Sequence, residues 1–208
     1  MFRRRTIIAA GGAFAAASLL SGFATLAHDN PMPPELREAL ERDTNAPVLG
    51  NPQGNVTLTE FFDYNCHFCR ESVSDIHALI SEDKDLRLVF REWPVFGEGS
   101  VFAARASLAS LKQGKYWPFH TALMKLRGQV AENVVMATAR RVGLDAERLR
   151  RDMQASEVTQ HLDHSMLLAD HMGLQGTPTF IAGHNGVFGK QSMASLRAMI
   201  AQAREDLL

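Results

Sequence analysis

VTLTEFFDYNCHFCRESVSDIHALI, residues 56–80, holds both cysteines of the 208-residue chain, and the sequence period changes at them. From Val56 to Phe62 apolar and β-branched residues follow a two-residue period that puts Val56, Leu58, Glu60 and Phe62 on one face of a strand. From Cys69 the apolar positions Val73, Ile76 and Ile80 form the stripe of an amphipathic helix. Cys66-His67-Phe68-Cys69 therefore stands at a strand-to-helix turn. Cys66 falls in the first turn of the helix, where unpaired N–H groups and the positive end of the macrodipole stabilise a thiolate. It reads as the exposed nucleophile. Cys69, one turn on and on the packed side, reads as the resolving thiol, since side chains three apart on a helix are neighbours.

Glu60 puts an acid on an otherwise apolar strand face. Desolvation there raises a carboxyl pKa and suits it to move a proton to or from Cys69. The alternative is a strand-edge glutamate reaching solvent. Asp63 is nearer the helix start and reads as a turn or capping residue. His67, when protonated, would add to thiolate stabilisation; otherwise it is an exposed residue of the helix start. A structural disulfide is a poor reading of a CxxC pair, because the loop it closes is too short to constrain the unfolded chain. A zinc site normally wants four Cys or His ligands at paired spacings, and the chain has no second CxxC.

The N-terminus indicates the compartment. Arg3-Arg4-Arg5 precedes Thr6 to Ala27, an uncharged run rich in Ala, Leu, Ile and Phe, and His28-Asp29-Asn30-Pro31 follows it. This pattern reads as an export signal over residues 1–27, with cleavage after Ala27 or Ala24. An uncleaved anchor is the competing reading, because roughly 20 apolar residues suffice to span a bilayer. Both place the rest of the chain outside the cytoplasm, and the periplasm is the expected location. Loss of residues 1–27 turns a formal charge of −1 into about −4 by removing three arginines. That mildly acidic balance leaves no nucleic-acid footprint.

The rest reads as one compact unit. Pro34 to Arg42 forms a short polar helix, and Asn45 to Asn55 is a lead-in rich in Pro, Gly and Asn. Leu86 to Trp93 is a second strand. Between Ser100 and Gly173 the period is helical, with breaks at Gly114, Gly128, Gly143 and near Ser156, which predicts four or five helices. Thr179–Ala182 and Val187-Phe188 form a hairpin across His184-Asn185-Gly186, and Ser192 to Leu207 closes the chain as a helix. The order describes an α/β, thioredoxin-like fold carrying an inserted all-helical subdomain at about 98–173. The main unit is 48–208, with residues 28–47 as its lead-in.

TEFFDYNCHFCR, GSVFAARASLASLKQGKYWPFH and GTPTF occur in family order. With Glu60 six residues before Cys66 and Thr177-Pro178 before a strand, they resemble the DsbA-like thiol–disulfide oxidoreductases of bacterial periplasms, in the branch containing the Com1-type and ScsC-type proteins. The resemblance covers roughly residues 46–205. It implies an enzyme whose only redox group is the Cys66–Cys69 disulfide, with no added cofactor, and a buried acid at Glu60. It also implies a cis peptide bond before Pro178, next to the cysteines, where Thr177 pairs with an extended substrate chain. The departure lies inside the motif: the best-known family member carries histidine next to the second cysteine, where this chain has Phe68. Threonine before the cis-proline is the choice of the family's isomerases, and valine that of many oxidants, so Thr177 leans toward isomerase or reductase behaviour.

The implied partners are unfolded or partly folded exported proteins and a membrane redox protein. An oxidant would be a monomer recharged by that membrane partner; an isomerase would be kept reduced and form a homo-oligomer through residues 28–46. A function of another class is Cu(I) binding by the same cysteine pair, soft ligands for a soft ion. His161, His164 and His171 share one face of a predicted helix, but His161 and His171 are about 15 Å apart along its axis, too far to share one ion. They read as a solvated or packed face. Met136, Met153, Met166, Met172, Met193 and Met199 read as core fillers, and Trp93 and Trp117 as packing residues.

Overall fold

Residues 32–207 are described by a computed structural model. The export segment expected at 1–27 lies outside them, as does the start of the lead-in. The described chain forms a five-stranded sheet in the order β1-β3-β2-β4-β5. The strands are β1 (Val48–Gly50), β2 (Val56–Phe62), β3 (Leu86–Glu92), β4 (Thr179–Ala182) and β5 (Asn185–Phe188). β2 pairs parallel with β3, and the connection between them is the helix α2 (His67–Glu82). β4 runs antiparallel to β2, and β5 to β4. The sheet is thus a thioredoxin-like frame.

β1 adds to the sequence reading, which took residues 45–55 for a lead-in rich in Pro, Gly and Asn and assigned no strand there. Three residues are too few to show alternation, and Val48–Gly50 becomes a strand by pairing antiparallel with the free edge of β3. Every residue of β2 and β3 is buried. The central strands are covered on both faces, which explains why Thr57, Thr59 and Glu60 are buried alongside the apolar positions.

One face of the sheet carries α1 (Pro34–Glu41) and α7 (Ser156–His171), where Leu40, Phe61, Leu168, Ala169 and Ile181 form a small core. The larger core joins Leu58, Phe62, Leu88 and Phe90 to α2, to α8 (Met193–Leu207) and to the inserted helices. Those are α3 (Glu98–Ala109), α4 (Tyr116–Met124), α5 (Glu132–Arg141), α6 (Ala146–Asp152) and α7, with a short 3-10 turn at Ser110–Gln113. Five helices fill the interval read as helical.

Several side chains depart from their expected settings. Arg91, within the second strand read from the sequence (β3), is wholly buried; it pairs with Asp43 at 2.8 Å and donates to the Ala39 and Leu40 carbonyls. Arg87 donates to the Glu41 carbonyl at 2.5 Å. Two guanidinium groups thus close the C-terminal end of α1, satisfying its orphan carbonyls and its dipole. The three histidines of α7 also part company. His161 is buried with Nε2 2.8 Å from Glu92 Oε2, while exposed His164 reaches Asp43 at 3.1 Å and His171 lies exposed. Met136 and Met153 are buried in the core, but Met166 is half exposed, because it lies on the outer face of α7. Trp117 packs between aromatic neighbours, stacked with His77 and His120.

Candidate active site

α2 starts where the sequence period changes. Cys66 is its N-cap residue, and the Cys69 N–H donates to Cys66 Sγ at 3.3 Å. A sulfur thus occupies the place usually taken by a capping oxygen, at the positive end of a 16-residue helix. On its other side, Cys66 Sγ donates to the Thr177 carbonyl at 3.2 Å. The Thr177–Pro178 peptide bond is cis. The loop before β4 is pinned by the Gly189 N–H, which donates to the Pro178 carbonyl at 2.8 Å, and by Thr179 Oγ1, which donates to the Gly176 carbonyl at 2.7 Å. Gly176 has φ +154°, and a Cβ there would press on the Phe188 ring at 3.1 Å. Only glycine fits both demands.

Both thiols are free, but they differ in ionisation. The Cys66 pKa is lowered from 9.0 to about 6: the Cys69 thiol hydrogen-bonds its sulfur, and Thr177 and the N–H groups of Cys69 and Phe68 add to this against the cost of burial. The Thr177 hydroxyl has no hydrogen-bond partner among the described residues and is close enough to steady the thiolate. Burial pushes the Cys69 thiol well above its ordinary value, and the nearby Cys66 and Glu60 push it further. The pair is therefore asymmetric, with Cys66 ionised near neutrality and Cys69 protonated.

Cys66 is nevertheless only 4% exposed. This corrects the reading of an open nucleophile, because the cis-proline loop lies directly over its sulfur. Glu60 sits on the central strand between Phe90 of β3 and Phe180 of β4, and is 3% exposed. Desolvation, and then the Cys66 charge, raise its pKa to about 8. Thr59 and Phe61 on either side are buried as well, so the strand-edge alternative for Glu60 is not what the fold contains.

The two inner motif residues point outward. His67 is exposed and its Nε2 lies 3.1 Å from Glu71 Oε1, one turn along the helix. Phe68 is 54% exposed, and Phe188, beside the cis-proline loop, is 57% exposed.

Two residues around the site, Asn65 and Arg70, were not singled out in the sequence, and a third, Asp63, was read only in part. Asn65 accepts from the Val130 N–H at 2.7 Å and donates to Ser100 Oγ at 2.9 Å. Arg70 donates to the Tyr64 and Gly128 carbonyls, both at 2.8 Å. Asp63, read as a turn residue, does accept from the Asn65 N–H at 2.6 Å, but its carboxylate also reaches across to the segment after β3. The local half of this pattern, an aspartate two residues before an asparagine at a turn, is a sequence signal. The long-range half has none.

Residues 57–201 match a family model described as a DSBA-like thioredoxin domain. Among solved structures, a thioredoxin-like oxidoreductase from Silicibacter pomeroyi DSS-3 is 50% identical, with a TM-score of 0.80 over 81% of this chain and 98% of that one. The thiol-disulfide exchange protein alpha-DsbA2 from Wolbachia pipientis is 27% identical, with a TM-score of 0.75 over 81% and 91% of the two chains. The chain spans about a quarter of the length of the curated relatives it first matches; a Na(+)/H(+) antiporter NhaA of Herminiimonas arsenicoxydans is 27% identical over 160 residues, 76% of this chain and 25% of that protein. The match reaches only a quarter of that protein, so the antiporter name does not carry over to this chain; no helix among the described residues is long and apolar enough to cross a membrane.

Proposed function

This chain belongs to the family of DSBA-like thioredoxin domains, and from that premise we propose that it is an exported thiol–disulfide oxidoreductase that exchanges disulfides with protein substrates in the periplasm through Cys66 and Cys69. The observation that carries this reading is the setting of Cys66 Sγ at the N-cap of α2, where the Cys69 N–H donates to it and its pKa is lowered to about 6, with the cis-proline loop lying against it. A sulfur so placed is largely a thiolate at neutral pH, both nucleophile and good leaving group. The names of the Silicibacter and Wolbachia proteins, an oxidoreductase and a thiol-disulfide exchange protein, support it.

In the reducing direction the Cys66 thiolate attacks one sulfur of a substrate disulfide, and the other substrate sulfur leaves as a thiolate. Glu60 takes the proton of Cys69, whose own pKa is too high for spontaneous ionisation. The Cys69 thiolate then attacks Cys66 Sγ, the bond to the substrate breaks, and two electrons have passed to the substrate. In the oxidising direction a substrate thiolate attacks Cys66 of the disulfide, and the departing Cys69 thiolate receives the proton of Glu60. A carboxyl with a pKa of about 8 serves both directions near neutrality.

Substrate backbone would pair with the Thr177 N–H, which no hydrogen bond among the described residues uses. Exposed Phe68 and Phe188 offer apolar contact on either side. Threonine before the cis-proline favours isomerase or reductase action, and residues 28–46 would carry self-association.

The test is a pair of assays on one preparation: oxidation of a reduced substrate protein, and repair of a scrambled one. Exchange in both, with repair the faster relative to a thioredoxin control, supports the proposal. Absence of exchange in both, from protein whose two thiols are titratable, rejects it.

A further inference from the structure

His67 is the polar residue inside the motif, and the exchange steps above give it no part. Its side chain is 76% exposed, yet it is not free: Nε2 lies 3.1 Å from Glu71 Oε1. The second oxygen of that carboxylate, Oε2, accepts from Lys190 Nζ at 3.0 Å. α2 carries no acid in its first turn, and Glu71, at the start of the second, is the first it has. Lys190 foremost, and His67 after it, hold this carboxyl below the ordinary carboxylate range, so Glu71 is an anion at neutral pH.

Lys190 comes from another part of the chain. It follows Gly189, whose N–H donates to the Pro178 carbonyl at 2.8 Å. On the other side of that cis bond, the Thr177 carbonyl accepts from Cys66 Sγ at 3.2 Å. The contacts close a ring that runs from Cys66 through Thr177-Pro178, Gly189-Lys190 and Glu71 to His67, the neighbour of Cys66. Exposed ion pairs such as these add little to stability. Their charges still act on the sulfur. Glu71 lies five residues beyond Cys66, about 7.5 Å along the helix axis, which is within the screening length of about 10 Å at 0.1 M salt. At that range an anion opposes a thiolate and a cation supports it.

We propose that Glu71 is a positioning residue for the redox reaction: its carboxylate holds Lys190 and His67 in a charge-balanced cluster beside Cys66, so that neither lends a free positive charge to the thiolate, and the Cys66–Cys69 pair is less oxidising than the helix N-terminus alone would make it. The inference rests on the oxidoreductase reading above and adds to it a control on the direction of exchange. Removing the Glu71 charge leaves Lys190 unbalanced, which stabilises the thiolate and with it the reduced pair. Removing the Lys190 charge leaves Glu71 unbalanced and does the reverse.

The test measures the equilibrium of the pair with glutathione at pH 7, together with thiolate absorbance against pH. In E71Q the equilibrium shifts about threefold toward the reduced pair, about 14 mV for a two-electron couple, and the Cys66 titration moves to lower pH. K190Q moves both in the opposite direction, and E71Q/K190Q brings them back to the wild-type values. In 1 M salt, where the screening length falls to about 3 Å, the differences shrink to less than about half. Arg197→Gln, which breaks the ion pair with Glu82 at the far end of α2, moves neither readout. A bridge that only braced the fold would make E71Q and K190Q behave alike, because each breaks the same contact. Shifts of one sign in both variants, no shift in E71Q, or shifts undiminished in 1 M salt overturn the inference. A wild-type pair that does not equilibrate with glutathione overturns the oxidoreductase reading, and this inference with it; a pair that equilibrates but is indifferent to both charges overturns this inference alone.

Discussion

Replacing Glu60 by Gln removes a buried titrating group and keeps its shape. In the reduced protein the carboxyl has a pKa of about 8 against an ordinary 4.5, through burial first and the Cys66 charge second. The folded state thus holds a proton that the unfolded chain has released. Stability from this group is complete below pH 4.5 and is lost as the pH rises through 8, at about 1.4 kcal/mol per pH unit. The loss reaches about 3 kcal/mol at pH 7 and about 5 kcal/mol well above pH 8, as upper figures for one fully buried group. E60Q has no such loss. Urea unfolding of both proteins, reduced with a phosphine, at intervals from pH 5 to 8.5 measures the difference. The gap in favour of E60Q should widen by about 2–3 kcal/mol between pH 5.5 and 7.5. In the oxidised pair the Cys66 charge is gone and the widening should be smaller. Parallel stability curves, or a gap that narrows as the pH rises, would refute the placement of a protonated Glu60 beside the thiols.

E60Q should also slow resolution: rapid quench and mass spectrometry should find the mixed disulfide on Cys66 persisting at least about a hundredfold longer, the usual worth of a proton-transfer group. Unchanged lifetimes would remove Glu60 from the mechanism. Cys69→Ala should trap substrate on Cys66 and raise the Cys66 pKa from about 6 toward 9.0, since the Cys69 thiol is its largest stabiliser; absorbance of the thiolate against pH measures this, and an unmoved titration would contradict it. Arg91→Ala should cost about 3–5 kcal/mol in urea unfolding, because Asp43 and two carbonyls of α1 lose a buried cation. A cost under about 1 kcal/mol would show that α1 is not held this way.

The frame and the reacting atoms were legible because they rest on local signals. The change of period at Cys66, the helical run to Gly173 and the acid on the Val56–Phe62 strand each lie within a short window of sequence. What escaped is set by distant chain. β1 exists because β3 has a free edge, and Arg91 is tolerated in a buried strand because the end of α1 presents carbonyls to it. Cys66 is covered by a loop 111 residues away. Asp63 shows the division within one side chain: its bond to Asn65 follows from the turn, whereas its bonds to Val95 and Phe96 depend on where the chain after β3 comes to lie.

The most direct test of the account is the equilibrium of the Cys66–Cys69 pair in glutathione buffers at pH 7. Disulfide formation consumes the thiolate, so a low Cys66 pKa stabilises the reduced form and raises the potential. A thiol pKa of about 6, against about 7 in thioredoxin, is worth about 1 kcal/mol at pH 7, or about 20 mV for a two-electron couple. The account therefore requires a couple more oxidising than the roughly −270 mV of thioredoxin, near −250 mV from the thiolate alone. A potential at or below about −270 mV would contradict it.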